Sequence, residues 1–138
     1  MKKAAVAFLA IALAPVLVVS LALFASAEWR QAGETAVGDK VSVSSIRVLK
    51  NNQRTALVRV EYKEPATLPQ GGPFVEMRAR VRFNCATGTA APPTVWFYSR
   101  DRSGRLVVSK KTIHDDLFGK ESERGFGEMA SKYVCENK

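Results

Sequence analysis

Between positions 75 and 86 the chain reads VEMRARVRFNCA, with Val75, Met77, Ala79, Val81, Phe83 and Cys85 on one side of a two-residue period and Glu76, Arg78, Arg80, Arg82 and Asn84 on the other. Successive side chains of a strand point to opposite faces, so this period predicts a strand with one oily and one cationic side. Upstream, Ala56, Val58, Val60 and Tyr62 alternate with Thr55, Leu57, Arg59 and Glu61. Val41 and Val43 open another alternating stretch, its phase slips at Ser44-Ser45, and Ile46 and Val48 resume it, which predicts a bend or bulge inside one edge-like strand. Lys50-Asn51-Asn52-Gln53 supplies turn residues between the two stretches and closes a hairpin.

Pro65, Pro69, Gly71, Gly72 and Pro73 predict a loop, the longest irregular connection, because proline lacks the ladder donor and glycine weakens a strand interior. Past the cationic strand, residues 94–100 (TVWFYSR) and 105–113 (RLVVSKKTI) flank the turn Asp101-Arg102-Ser103-Gly104 and form a second hairpin. The period then changes. Phe126, Met129, Ala130, Tyr133 and Val134 recur at three- and four-residue spacing, which predicts a short amphipathic helix capped upstream by Ser122 and ending before Cys135. Residues 28–40 carry few apolar side chains and read as an N-terminal arm anchored by Trp29. The expected fold class is α+β, mostly β: an antiparallel β-meander of five or six strands with a C-terminal α-helix packed on one face.

At the N-terminus, Lys2 and Lys3 precede an uncharged apolar run that ends in Ala25-Ser26-Ala27, the layout of a secretory signal with a small-residue cleavage site. Residues 1–27 are therefore read as a signal peptide and 28–138 as a single domain. The alternative is an uncleaved anchor, in which case the signal segment is the only contact with the membrane. Both cysteines, Cys85 and Cys135, fall in the exported part, and two thiols in an oxidising compartment are expected to pair.

Without Lys2 and Lys3, 19 of the 21 Lys and Arg residues remain against 13 Asp and Glu, a net charge of +6. Inside a cell this would raise nucleic acid as a partner, but an exported basic protein meets lipid head groups, acidic glycans and acidic protein surfaces instead. Trp29, Ile46, the stretch VRFNCATG with Asn84 and Cys85, the stretch VWFYSRDRSGRLV with Tyr98, Gly104 and Val107, and FGEMASKYVC with Cys135 resemble the bacterial surface-adhesin protein E family over residues 29–135. That resemblance implies an antiparallel sheet with a C-terminal helix tied back by the cysteine pair, and a role in adhesion to host extracellular proteins. It supplies no catalytic residues to carry over.

The chain is read as a non-enzyme without a cofactor. Its one histidine, His114, would have to serve any Ser-His-Asp or Cys-His arrangement while both cysteines are oxidised. His114-Asp115-Asp116 reads as a solvated loop rather than a metal site, since a structural zinc needs about four converging ligands. Gly125-x-Gly127 lacks the rest of a phosphate cradle, and Glu121 and Glu123 suit a helix start.

With Val95, Phe97 and Ser99 inward, Trp96, Tyr98 and Arg100 join Arg78, Arg80 and Arg82 on the outer face. Guanidinium groups mixed with Trp and Tyr can bind anions bidentately and stack, so these six residues are the candidate ligand-binding site for an extracytoplasmic protein or acidic glycan. Two other uses fit the same pattern. The face can be the wet side of a half-buried sheet, with arginine stems covering aromatic rings. It can also pair with a second copy through Phe74, Leu57 and Trp96, or with an envelope protein, which would make the chain a periplasmic structural or assembly factor. The expected location is exported: periplasmic, secreted or at the cell surface.

Overall fold

The structure is a computed structural model that describes residues 28–113 and 125–137. The signal segment, His114-Asp115-Asp116 and Glu121, Ser122 and Glu123 lie outside the described residues.

The strands are β1 (Arg30–Glu34), β2 (Lys40–Val48), β3 (Gln53–Leu68), β4 (Gly71–Asn84), β5 (Thr89–Ala90), β6 (Thr94–Arg100) and β7 (Leu106–Thr112), and helix α1 (Phe126–Glu136) follows. The sheet runs β1-β2-β3-β4-β6-β7 with every pair antiparallel, and the two-residue β5 pairs with the end of β4. The six-strand path is the expected meander, and α1 packs on one face of it. β5 is additional.

Alternation builds the core. Val41, Val43, Ala56, Val58, Val60, Met77, Ala79, Val81, Phe83, Val95 and Phe97 are buried, and α1 contributes Phe126, Ala130 and Val134. Each large side chain withdrawn from water stabilises by about 1.5–3 kcal/mol. The Tyr62 ring lies 6.1 Å from that of Phe126, joining sheet to helix.

Cys85 and Cys135 form the expected disulfide across a separation of 50 residues. In the chain-entropy model a loop of that length stabilises the fold by about 4 kcal/mol. Cys135 lies inside α1, not beyond it as expected. The helix buries Gly127 and Ser131 along with Phe126, Ala130 and Val134, so its inner stripe is rotated away from Met129 and Tyr133. Cys135, one turn on from Ser131, then lies at the stripe's edge and meets Cys85 without the helix having to end. Gly125, with φ 72°, occupies the cap position assigned to Ser122.

Three other expectations are corrected. The predicted loop at 65–73 is strand: β3 extends to Leu68, turns at Pro69-Gln70, and β4 begins at Gly71. The ladder tolerates Pro65 and Pro73 because both fall at register shifts, between the pairs Glu61↔Glu76, Ala66↔Phe74 and Leu68↔Gly71. The N-terminal arm contains β1, which covers the outer edge of β2, so β2 is not an edge. Phe74 is not part of an outer apolar patch. The same shifts turn it inward, where it is 3% exposed and stacks on Phe97 at 4.6 Å.

Candidate binding face

The face opposite α1 is built by cross-strand rows. Register places Ser42, Arg59, Arg78, Trp96 and Lys111 in one row across β2, β3, β4, β6 and β7. The next row toward the end of β4 aligns Ser44, Leu57, Arg80 and Thr94, and the one beyond aligns Arg47, Thr55 and Arg82. On the other side of the first row, Lys40, Glu61, Glu76 and Tyr98 align. All six residues of the sequence-predicted site are on or at the rim of this face, but they divide by what they touch.

Arg78 and Tyr98 form a closed unit. The Arg78 Nε donates to a Glu76 carboxylate oxygen at 2.7 Å, and its guanidinium carbon sits 4.7 Å from the Tyr98 ring centroid. Glu76 is 7% exposed. Arg59, the cross-strand neighbour of Arg78, repeats the arrangement with Glu61 at 3.8 Å and the Trp29 ring at 4.7 Å. Two like charges side by side are destabilising, and here a carboxylate and a ring beside each guanidinium offset that repulsion. Trp96 is half-buried with the Lys111 ammonium 5.6 Å from its ring. Arg100 is turned to the β6–β7 turn, where its Nη1 donates to the Gly104 carbonyl at 2.9 Å.

Arg80 and Arg82 are exposed, and their side chains have no ion pair or hydrogen bond among the described residues. A third arginine joins them that sequence reasoning did not single out. Ser45 adopts φ 54°, and the β2–β3 register shifts between Ser44 and Arg47. One extra residue inverts the facing of everything beyond it, so Arg47 comes out opposite Thr55 on the outer side rather than under the helix. The signal in the sequence is the phase slip at Ser44-Ser45. Arg47 and Arg80 line a shallow depression with Ser45, Thr55, Ala56 and Leu57.

A family model described as surface-adhesin protein E matches residues 29–136. The chain belongs to the surface-adhesin protein E family. No curated protein and no solved structure matches it at a significant level. Membership points to an exported, surface-exposed adhesin, and to a binding protein rather than an enzyme. For this adhesin-family chain, no helix among the described residues is long and apolar enough to cross a membrane. Nor do the described residues hold a group of three or more His, Cys, Asp or Glu that could bind a metal.

Proposed function

We propose that the chain is exported through residues 1–27 and acts as a non-enzymatic adhesin whose outer sheet face contacts an extracellular matrix protein or an acidic glycan. The observation that carries this reading is the contrast on that face: Arg59 and Arg78 have carboxylate partners, whereas the exposed side chains of Arg80 and Arg82 have none among the described residues. Unpaired guanidinium groups on a rigid sheet recognise acidic partners at little ordering cost. Family membership supports the adhesive role.

The test titrates the purified oxidised chain onto immobilised matrix proteins and acidic glycans at low and moderate salt. Saturable binding that weakens with salt and is reduced in an Arg80→Ser/Arg82→Ser variant is the expected result. Binding untouched by the double substitution rejects the face.

A further inference from the structure

We propose that Arg47, Arg80 and Arg82 together form a receptor site for a sulfated polysaccharide, the three guanidinium groups holding successive sulfate esters along one chain. This deepens the reading of the outer face as the adhesive surface and rests on it.

Three observations carry the inference. The first is convergence. The β2 bulge at Ser45 brings Arg47 into the Thr55–Arg82 row, and Arg80 is one outward step along β4 from Arg82. Neighbouring strands lie about 4.8 Å apart and outward positions along a strand about 6.6 Å, so the three backbone positions are spread over roughly 7–12 Å. That is wider than one compact oxyanion and suits a chain of repeated ones.

The second is charge. None of the three guanidinium groups has an ion pair or hydrogen bond among the described residues, although those of Arg59 and Arg78 on the same face are each matched to a carboxylate. A polyanion relieves the mutual repulsion, and a guanidinium fork meets a sulfate through two parallel hydrogen bonds.

The third is the floor. A depression of about 310 Å³ lies between Arg47 and Arg80, with Ser45 and Thr55 offering hydroxyls and Leu57 an apolar surface, a mixture that suits the polar rim and apolar face of a sugar ring. A lipid surface fits less well. Among the described residues the exposed large apolar ones are Val37, Val48, Leu49, Val107, Val108 and Ile113, and none of them lines this depression.

The experiment measures affinity of the full exported, oxidised chain for heparin, with uncharged dextran, phosphatidylglycerol vesicles and poly-glutamate as parallel arms. Heparin is expected to bind and dextran is not. Arg47→Ser, Arg80→Ser and Arg82→Ser should each weaken heparin binding about fivefold, the scale of one exposed charge contact, while Arg102→Ser in the exposed β6–β7 turn stays within about twofold. Circular dichroism and thiol titration confirm that each variant is folded and oxidised.

Heparin affinity indifferent to Arg47→Ser, or tighter binding to vesicles or poly-glutamate than to heparin, overturns the proposal. If matrix proteins bind through Arg80 and Arg82 but heparin does not, the sulfated-chain site is wrong and the adhesive face stands. If no acidic partner binds at all, both fail.

Discussion

The Arg78 Nε sits 2.7 Å from a carboxylate oxygen of Glu76, and that contact divides an arginine row that looks uniform along β4. Arg78 is structural: it neutralises a carboxylate that is 7% exposed and covers the Tyr98 ring. Arg80, one outward position along, has no carboxylate or ring partner among the described residues. Arg78→Ser is therefore expected to lower stability by about 1–3 kcal/mol, because it strands a mostly buried carboxylate. Arg80→Ser should change stability by less than about 0.5 kcal/mol. Urea denaturation of the two variants checks the difference.

The helix is held at its C-terminal end by two ties. One is the Cys85–Cys135 disulfide. The other is Arg54 from β3, whose Nη1 donates to the Val134 carbonyl at 2.8 Å and also to the Asn137 carbonyl. The last turn of α1 has no basic residue of its own, so Arg54 supplies the positive charge that the carbonyl end of a helix favours. Arg54→Met should cost about 1–2 kcal/mol and Cys85→Ser/Cys135→Ser about 2–5 kcal/mol. Thermal unfolding of the oxidised variants against the parent measures both.

Gly72 cannot carry a side chain without displacing backbone. Its φ is +138°, and a Cβ there would lie 2.6 Å from the Ala66 carbonyl oxygen. At Gly88 (φ +68°) a Cβ meets nothing within 4 Å, which leaves only the left-handed conformation itself to pay for. Gly72→Ala should cost more than about 2 kcal/mol and Gly88→Ala about 1 kcal/mol. Denaturant midpoints of the two variants rank them.

The β6–β7 turn is organised by the Asp101 carboxylate, whose pKa is lowered from its ordinary 3.8, first by the Ser103 hydroxyl and then by the Arg105 amide. A depressed carboxylate pKa stabilises the turn fully above the unfolded value, and the benefit is lost as pH falls through the lowered pKa. Amide signals of Ser103 and Arg105 should hold their turn shifts down to about pH 4 and titrate below it, and Asp101→Asn should abolish that titration. An NMR pH series reads this directly.

Much of the fold is legible in the sequence because the core obeys a single rule. Two-residue alternation at 56–62, 77–83 and 95–97 selects the side facing α1, and the cysteine pair says where the helix must return. Legibility fails where tertiary contact overrides composition. β1 reads as an arm because it is poor in apolar residues, and Gly33 is small there because a Cβ would press to 2.7 Å from the Met129 sulfur. The β3–β4 tip reads as a loop because its prolines are hidden in register shifts. The helix stripe is misjudged because Gly127 and Ser131, though small, are buried.

The candidate binding face is half legible. Strand period places Arg78, Arg80 and Arg82 together, but only structure distinguishes the arginine matched to Glu76 from the two left open. Arg47 required following the Ser45 bulge through to its effect on facing.

The outer sheet face is proposed to be where this protein meets its partner. Arginine-specific chemical modification of the oxidised chain, free and saturated with an acidic matrix ligand and read residue by residue by mass spectrometry, tests it most directly. Slowed modification of Arg47, Arg80 and Arg82 in the complex, with Arg54 beneath the helix unchanged, is the predicted result. Unaltered reactivity of those three in a saturated complex would contradict it.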